Sequence, residues 1–172
     1  SSGRPILTAE SDHVIVADTK YGGKGSDIPK SLLAIVSLSG KKVRKSIEAE
    51  QVAASPDGHY VASFNQSNPT IYDASLHKVA NITTSGAVGN ITWLNNTTLL
   101  YSVNDQLWSY SVVLQKAQLF ANMPFSNAIS GIYVDSSRSY IYVTTFDSFS
   151  STSAIRRIGL KGQNVPDYLF KL

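Results

Sequence analysis

The side chains that could perform acid–base or nucleophilic chemistry are few, and their spacing does not bring them together. The sequence has three histidines, His13, His59 and His77, and no cysteine. Each histidine falls at a strand end or in a turn of the predicted structure, where an imidazole ring usually faces water. A catalytic triad needs a nucleophile, a base and an orienting acid, and no Gly-x-Ser-x-Gly elbow occurs. We therefore predict no catalytic residues, and a non-enzymatic role is favoured.

Carboxylates are the remaining candidates for a metal site. Asp12 with Asp18, or Asp135 with Asp147, could converge on one face of a repeat structure and hold a cation. Acidic residues in turns more often cap the turn through local hydrogen bonds. No His-x-x-x-His pair and no calcium-loop pattern occurs in the sequence. We predict no metal site and no cofactor.

Two long predicted loops, 20–30 and 145–153, carry residues suited to binding. Both would join the second and third strands of a repeat, so both would emerge on the same face. Exposed aromatic side chains on adjacent loops make good contact surfaces. Alternatively, the two phenylalanines of the second loop pack beneath it as a small satellite core. The candidate ligand-binding residues are Tyr21 and Lys24 in the first loop, and Phe146 and Phe149 in the second.

The charge of the chain argues against a nucleic-acid partner. The formal net charge is only +3, although eight of the fifteen basic residues lie within 1–45. The basic run 41–45 could meet an anionic partner. The favoured interpretation is that its lysines protect an exposed edge strand from pairing with another chain.

Composition favours a location outside the cytoplasm, that is, a secreted, periplasmic or cell-surface protein. Only 16% of the residues are charged, against roughly 25% in an ordinary soluble protein. No apolar stretch reaches the length of a membrane span. The Asn-x-Ser/Thr motifs that could accept glycans are at Asn65, Asn81, Asn90, Asn95 and Asn96.

A repeat gives the chain its organisation. Similar segments recur, each reading as an apolar strand, a polar turn and a second strand. Asp57, Asn96 and Asp135 mark the turns at a constant spacing of 39 residues. A third and a fourth strand follow, for instance at 70–73, and four short antiparallel strands in about 40 residues are typical of a propeller blade. The recurring segments are 52–63, 91–102 and 131–143, with 5–50 as a longer version.

The sequence therefore predicts an all-β, propeller-like fold of about four blades, each with four antiparallel strands. We expect one domain over 1–172, either as a small propeller or as part of a larger one. The last segment, 164–172, would close the ring or begin a further blade. Aromatic residues at matching strand positions are expected in the core between blades, namely Trp93, Trp108, Tyr101, Tyr110, Tyr140 and Tyr142. The expected blade-like units are 5–50, 51–87, 88–128 and 129–172.

One turn connects the chain with known propellers. In Ser55-Pro56-Asp57-Gly58, proline fixes φ at the second position and glycine is favoured at the last. The third strand of this unit ends in Tyr72-Asp73. These residues resemble the Ser-Pro-Asp-Gly repeat of TolB-like and related WD-repeat β-propellers. In those proteins the turn links the first two strands of a blade, and an aromatic–Asp pair closes the third.

Three functions are compatible with such a chain. The favoured one is a non-enzymatic propeller module that binds a protein or a glycan, or serves as a scaffold, at the cell envelope or surface. The resemblance also allows the propeller portion of a peptidase- or lactonase-type hydrolase, with its catalytic part elsewhere. The third is a structural subunit that self-associates through open blade edges.

Overall fold

The fold is an assembly of β-strands, as the Val-, Ile-, Thr- and Tyr-rich composition predicts. All regular structure in the described residues is β-strand, and no helix that could cross a membrane occurs among them. No described peptide bond is cis. The computed structural model describes residues 4–6, 13–20, 30–37, 43–49, 51–64, 68–123, 127–135, 137, 139–147, 150–160 and 170–171.

The described strands form four sheets of four strands, and in each sheet consecutive strands pair antiparallel. Sheet 1 contains β1 (Arg4–Ile6), β2 (His13–Lys20), β3 (Lys30–Ser37) and β4 (Val43–Ala49). Sheet 2 contains β5 (Gln51–Ala54), β6 (Tyr60–Phe64), β7 (Thr70–Asp73) and β8 (Lys78–Asn81). Sheet 3 contains β9 (Val88–Trp93), β10 (Thr98–Val103), β11 (Gln106–Ser111) and β12 (Lys116–Asn122). Sheet 4 contains β13 (Asn127–Val134), β14 (Tyr140–Asp147), β15 (Thr152–Gly159) and β16 (Phe170–Lys171).

The chain divides into two compact units, 1–83 and 84–172, with two sheets in each. In the first unit, Ala49 of sheet 1 packs with Val61 of sheet 2 and with Leu76 in the turn between β7 and β8. This contact shows which face of sheet 2 is turned towards sheet 1. The prediction of one domain over the whole chain stays a prediction.

In the second unit, sheets 3 and 4 share a core of aliphatic side chains. Leu100 and Leu107 of sheet 3 pack with Ile132, Ile141 and Val143 of sheet 4. Burying a leucine or isoleucine side chain stabilises a fold by about 1.5–3 kcal/mol, so this contact holds the two sheets together. The first strands of the two sheets, β9 and β13, also lie next to each other.

Two connections differ from the predicted ones. The loop expected over 145–153 is shorter, because β14 runs on to Asp147 and β15 begins at Thr152, with these two residues paired. The segment reads as a loop because it is rich in serine and threonine, but threonine is a good strand former. In the first sheet, Lys20 ends β2, Lys30 begins β3 and the two residues pair, so the predicted loop 20–30 differs only at its two end residues, and 21–29 lie outside the described residues.

The end of the chain also differs from the prediction. Phe170 pairs with Ile155, and Lys171 with Ala154, so β16 is the fourth strand of sheet 4. It therefore completes sheet 4 and does not begin a further sheet.

The Ser55–Gly58 turn has the predicted geometry and an additional side-chain network. The N–H of Gly58 donates to the carbonyl of Ser55 at 2.9 Å, and Gly58 has a φ of 75°, which favours glycine. The Ser55 hydroxyl donates to Asp57 Oδ1 at 2.6 Å and accepts from the N–H of Tyr60 at 3.0 Å. The turn is therefore closed by backbone and side chain together.

Equivalent turns join the first two strands in sheets 2, 3 and 4, and they align the sheets with one another. In each turn, the N–H of the residue that directly follows the first strand donates to the carbonyl of the first residue of the second strand. Strand pairing beyond the turn then proceeds residue by residue. The closing hydrogen bonds run from Ser55 N to Tyr60 O (2.8 Å), from Leu94 N to Thr98 O (2.9 Å) and from Asp135 N to Tyr140 O (3.2 Å).

Candidate binding surface

One face of sheet 4 is exposed, and its central strand shows why. Side chains along a strand point alternately to the two sides of the sheet. On β14, Ile141 and Val143 are buried on the side of sheet 3, whereas Tyr142 and Phe146 on the other side are exposed. The face that carries Tyr142 and Phe146 has no described sheet packed against it within its own unit.

The exposed face presents aromatic rings on neighbouring strands. Tyr133 on β13 and Arg157 on β15 lie directly opposite Tyr142, one on each side. Tyr142 is 36% exposed and Phe146 43%, with Tyr133 more exposed than either. Aromatic and arginine side chains in one contiguous surface are typical of protein contact sites. We call this surface the aromatic face, defined by Tyr133, Tyr140, Tyr142, Phe146 and Arg157.

Two contacts fix the geometry of the aromatic face. The Arg157 guanidinium carbon lies 4.5 Å from the centre of the Tyr140 ring, a cation–π contact worth about 0.5–1 kcal/mol at an exposed site. The Tyr133 ring lies against Gly131, where an added Cβ would stand 2.9 Å from Tyr133 Cε2 and 2.7 Å from Thr144 Oγ1. Because Gly131 has no side chain, the Tyr133 ring can pack directly against the backbone of the sheet at this position.

The same position is buried in sheets 2 and 3. The third residue of the second strand, counted from the equivalent turns, is Ala62 in sheet 2, Leu100 in sheet 3 and Tyr142 in sheet 4. Ala62 and Leu100 are 0% exposed, in contrast to Tyr142. The aromatic face is therefore the counterpart of a face that is buried in sheets 2 and 3.

One of the residues predicted to bind a ligand, Phe146, lies on this surface, and its binding role stays a prediction. Phe146 is exposed, as a binding residue must be, but it lies in β14 rather than in a loop. Tyr21, Lys24 and Phe149 lie outside the described residues, so their role as ligand-binding residues stays a prediction. The core prediction for the aromatic residues was wrong for Tyr142, whereas Trp93, Tyr101 and Tyr110 are buried as expected.

The carboxylates of the described turns act as caps. Asp135 Oδ1 accepts from the N–H of Ser139 and the hydroxyl of Ser137, each at 2.9 Å. Asp147 Oδ2 accepts from the hydroxyl of Ser150 at 2.6 Å. No group of three or more metal-ligating side chains occurs in the part of the chain that the structure describes. Asp12 is not among the described residues, and Asp18 lies in β2.

Two aspartate–histidine pairs were not foreseen from the sequence. His59 Nδ1 lies 3.0 Å from Asp57 Oδ2, and His77 Nδ1 lies 3.1 Å from Asp73 Oδ2. Burial raises the pKa of Asp57, but the hydrogen bonds from Ser55 and His59 together lower it by more, so the pKa lies below its usual value. Each pair is confined to one turn and exposed to solvent. Their sequence signals, Asp-x-His and Asp-x-x-x-His, were available.

The predicted glycan acceptors fall into two groups. Asn81 and Asn96 are exposed. Asn95 Oδ1 accepts from the N–H of Thr97 at 2.9 Å, and Asn90 Nδ2 donates to a backbone carbonyl at 3.1 Å. Because a glycan is attached to Nδ2 of asparagine, the hydrogen bond of Asn90 makes it a poor acceptor in the folded protein. Asn65 lies outside the described residues.

A polar cleft lies on the last three strands of sheet 3. Its volume is about 250 Å³. Its lining side chains carry hydroxyl, amide and ammonium groups, together with one leucine and the aliphatic parts of the polar side chains. Such groups can hydrogen-bond a small polar ligand, for instance one sugar ring. The lining residues are Thr98, Ser109, Ser111, Leu114, Lys116 and Gln118.

Comparison with known proteins identifies the fold. No family model matches this chain, and no curated protein matches it. The hydrazine synthase of Kuenenia stuttgartiensis superimposes with a TM-score of 0.73 at 10% identity, covering 97% of this chain and 48% of that one. The WD40 repeats of RRP9 give 0.60 at 13%, covering 98% and 49%. The dipeptidyl peptidase 4 of Porphyromonas gingivalis gives 0.63 at 13%, covering 96% and 32%.

These similarities show a fold and no more, since every identity is low. The matched structures are β-propeller proteins, and the chain spans half or less of each of them. This chain therefore has a propeller-like repeat fold, as the sequence predicted. Membership of the TolB-like or WD-repeat families stays a prediction.

Proposed function

We propose that this chain is a non-enzymatic propeller module that makes protein contacts at the cell envelope or surface. In this proposal its four sheets are four blades, and the aromatic face is its contact surface. The single observation that carries the proposal is the exposure of Tyr142 at a position where Ala62 and Leu100 are buried. Exposed aromatic side chains that form one patch are costly in water and mark interaction sites.

The chemistry of the aromatic face supports a protein partner. Tyr133, Tyr142 and Phe146 offer apolar area with few rotatable bonds, and Arg157 adds a charge beside them. Tyrosine and arginine are the residue types that dominate binding energy at protein interfaces. The location outside the cytoplasm is supported by the low charge of the chain and by the exposure of Asn81 and Asn96.

A photo-crosslinking amino acid at position 146 tests this proposal. In cells of the native host, the label should form a covalent adduct with a defined protein. The same label at Val113, which is exposed on the β11–β12 turn of sheet 3, is the matched control. Binding of the purified partner should weaken at least about tenfold in Tyr142→Ala. Equal labelling from both positions, or unchanged affinity in Tyr142→Ala, would contradict the proposal.

Glycan binding is the second candidate, and the polar cleft of sheet 3 favours it. The amide of Gln118 and the ammonium of Lys116 are exposed at this cleft. An array of immobilised oligosaccharides is the direct probe. If binding of the protein to an immobilised oligosaccharide is lost in Lys116→Ala or Gln118→Ala but kept in Tyr142→Ala, the cleft is the glycan-binding site. If this binding is lost only in Tyr142→Ala, the aromatic face is the glycan-binding site.

A further inference from the structure

The polar cleft of sheet 3 lies on the face of that sheet that packs against sheet 4. Directly paired residues on neighbouring strands point their side chains to the same side of a sheet. Leu100 pairs with Ser109, and Ser109 pairs with Gln118, so these side chains share one face. Leu100 belongs to the aliphatic core between sheets 3 and 4. The cleft, which includes Thr98, therefore continues this core surface towards the start of β10.

Ser109 is a polar residue at a position where an aliphatic one would pack. Ile71 pairs with the third residue of β6, as Ser109 pairs with the third residue of β10, so the two positions are equivalent. Ser109 is 3% exposed and Ile71 0%. The Ser109 hydroxyl donates to the Gln118 carbonyl at 3.4 Å, which is long for a hydrogen bond between oxygens. A buried hydroxyl costs free energy unless it is well bonded, so Ser109 is better suited to a ligand than to stability.

Other side chains of the cleft have unused hydrogen-bonding groups. In the described part of the chain, the side chains of Thr98, Lys116 and Gln118 form no hydrogen bond and no ion pair. The Ser111 hydroxyl accepts from the N–H of Leu114 at 3.2 Å, which leaves its own proton free to be donated. The cleft therefore gathers hydroxyl, amide and ammonium groups that water or a ligand must satisfy.

The charge of the cleft favours an anionic group. Lys116 is the one charged residue among the described residues that line it. An ammonium with hydroxyl donors beside it is complementary to a carboxylate, because both carboxylate oxygens accept hydrogen bonds. A single cation also matches the one charge of a carboxylate better than the nearly two charges of a phosphate monoester.

The apolar part of the lining favours a sugar ring that carries this anionic group. Leu114 and the aliphatic parts of the polar side chains lie beside the hydrogen-bonding groups. A sugar ring has C–H groups on its faces and hydroxyl groups at its edge, so it can contact both kinds of surface. The cleft volume of about 250 Å³ is below the roughly 300–1,000 Å³ of pockets for drug-sized ligands. One ring therefore fits it better than a longer chain.

We infer that the polar cleft binds a hexuronic acid unit of an acidic polysaccharide. The inference rests on the second candidate function, glycan binding, because it names the class of sugar that the same cleft would take. The carboxylate of the sugar would meet the ammonium of Lys116. The sugar hydroxyls would bind Thr98, Ser111 and the amide of Gln118. Leu114 would contact one C–H face of the ring.

Isothermal titration calorimetry with trigalacturonate tests the inference. The methyl ester of trigalacturonate is the matched ligand, because it keeps the rings and removes the carboxylate charges. We expect the acid to bind at least about tenfold more tightly than the ester, because hydrogen bonds to a charged group are stronger than neutral ones. Equimolar inorganic sulfate should not displace the sugar, since a free anion leaves the apolar lining uncovered.

Variants of the cleft test the residue assignment. Lys116→Gln should lower the affinity for trigalacturonate at least about tenfold. Lys78→Gln is the control, since Lys78 begins β8 as Lys116 begins β12, and both are exposed. Ser109→Ala should weaken binding without lowering the free energy of unfolding, because a hydrogen bond of 3.4 Å contributes little to stability. If Ser109→Ala fails to fold by circular dichroism, the exposed Lys116→Gln decides.

Three outcomes would overturn the inference. They are equal affinity for the acid and its ester, unchanged affinity in Lys116→Gln, and displacement of the sugar by equimolar sulfate, which would indicate an anion site that does not recognise the ring. A neutral oligosaccharide that binds the cleft as tightly as the acid would overturn the inference and leave glycan binding standing. No binding of any oligosaccharide would remove both, while the crosslink at position 146 would still decide the proposed protein contact.

Discussion

The side chain of Asn90 joins sheet 3 to sheet 4 by donating from Nδ2 to the backbone carbonyl of Ile129 at 3.1 Å. Both residues lie at irregularities in the first strands of their sheets, where the pairing register shifts. At such a bulge a carbonyl can be turned out of the ladder. The Ser102 hydroxyl accepts from the N–H of Asn90 at 2.9 Å, which holds the asparagine in place.

Asn90→Ala should lower the free energy of unfolding by about 1–2 kcal/mol, because the Ile129 carbonyl loses its side-chain donor. Urea denaturation followed by tryptophan fluorescence measures this change. Asn96→Ala is the matched control, since Asn96 is exposed in a turn and surface changes stay within about 0.5 kcal/mol. Equal losses in the two variants would show that the hydrogen bond between the sheets contributes nothing.

Gly131→Ala should destabilise the second unit by about 1–3 kcal/mol, as overpacking usually does. The new Cβ would stand 2.7 Å from Thr144 Oγ1 and 2.9 Å from Tyr133 Cε2, so at least one of the two side chains must move. Removing the ring in the double variant Gly131→Ala/Tyr133→Ala should restore part of the stability. A double-mutant cycle by urea denaturation measures the coupling, and strict additivity of the two changes would contradict the contact.

The free energy of unfolding should fall as the pH rises from 10 to 12. Burial, with a smaller contribution from nearby Tyr110, raises the pKa of Tyr101 from 10.0 to about 12. Between these values the unfolded chain loses the phenol proton while the folded chain keeps it, so the unfolded state is favoured. Below pH 10 the contribution is fully present. Tyr101→Phe should flatten this part of the pH profile, and an unchanged profile in this variant would contradict the role of Tyr101.

The Ser55–Gly58 turn should lose stability in acid. Burial raises the pKa of Asp57, but its hydrogen bonds to Ser55 and His59 lower it more, so it lies below 3.8 in the folded chain. A lowered folded pKa gives stability that is present above 3.8 and is lost as the pH falls through the folded pKa. The difference in unfolding free energy between the wild type and Asp57→Asn should therefore be larger at neutral pH than in acid. A constant difference would show that the carboxylate charge is irrelevant.

Local patterns predicted the strands well. The polar turn between two apolar segments located β5 and β6, and the predicted third strand 70–73 coincides with β7. Such features depend on residues close in sequence, namely turn chemistry and two-residue alternation. The length of the loop predicted over 145–153 was too great, because Thr145 and Thr152 were read as loop residues although threonine is also a good strand former.

The exposed aromatic face could not be predicted from local patterns. Leu100 and Tyr142 occupy the same position of equivalent strands, yet one is buried and the other exposed. The difference depends on whether another sheet lies on that face, which is a property of the assembly. Only the equivalence of Leu100 and Tyr142, established by aligning the turns, makes the difference visible.

The β11–β12 turn offers a practical use. Val113 and Leu114 are the most exposed of the described large apolar residues, and Gln115 follows with a φ of 50°. Strand pairing ends at Ser111 and resumes at Lys116, so extra residues between Val113 and Leu114 should leave the ladder intact. An epitope or a fluorescent reporter inserted at this point would allow the molecule to be followed by microscopy in living cells.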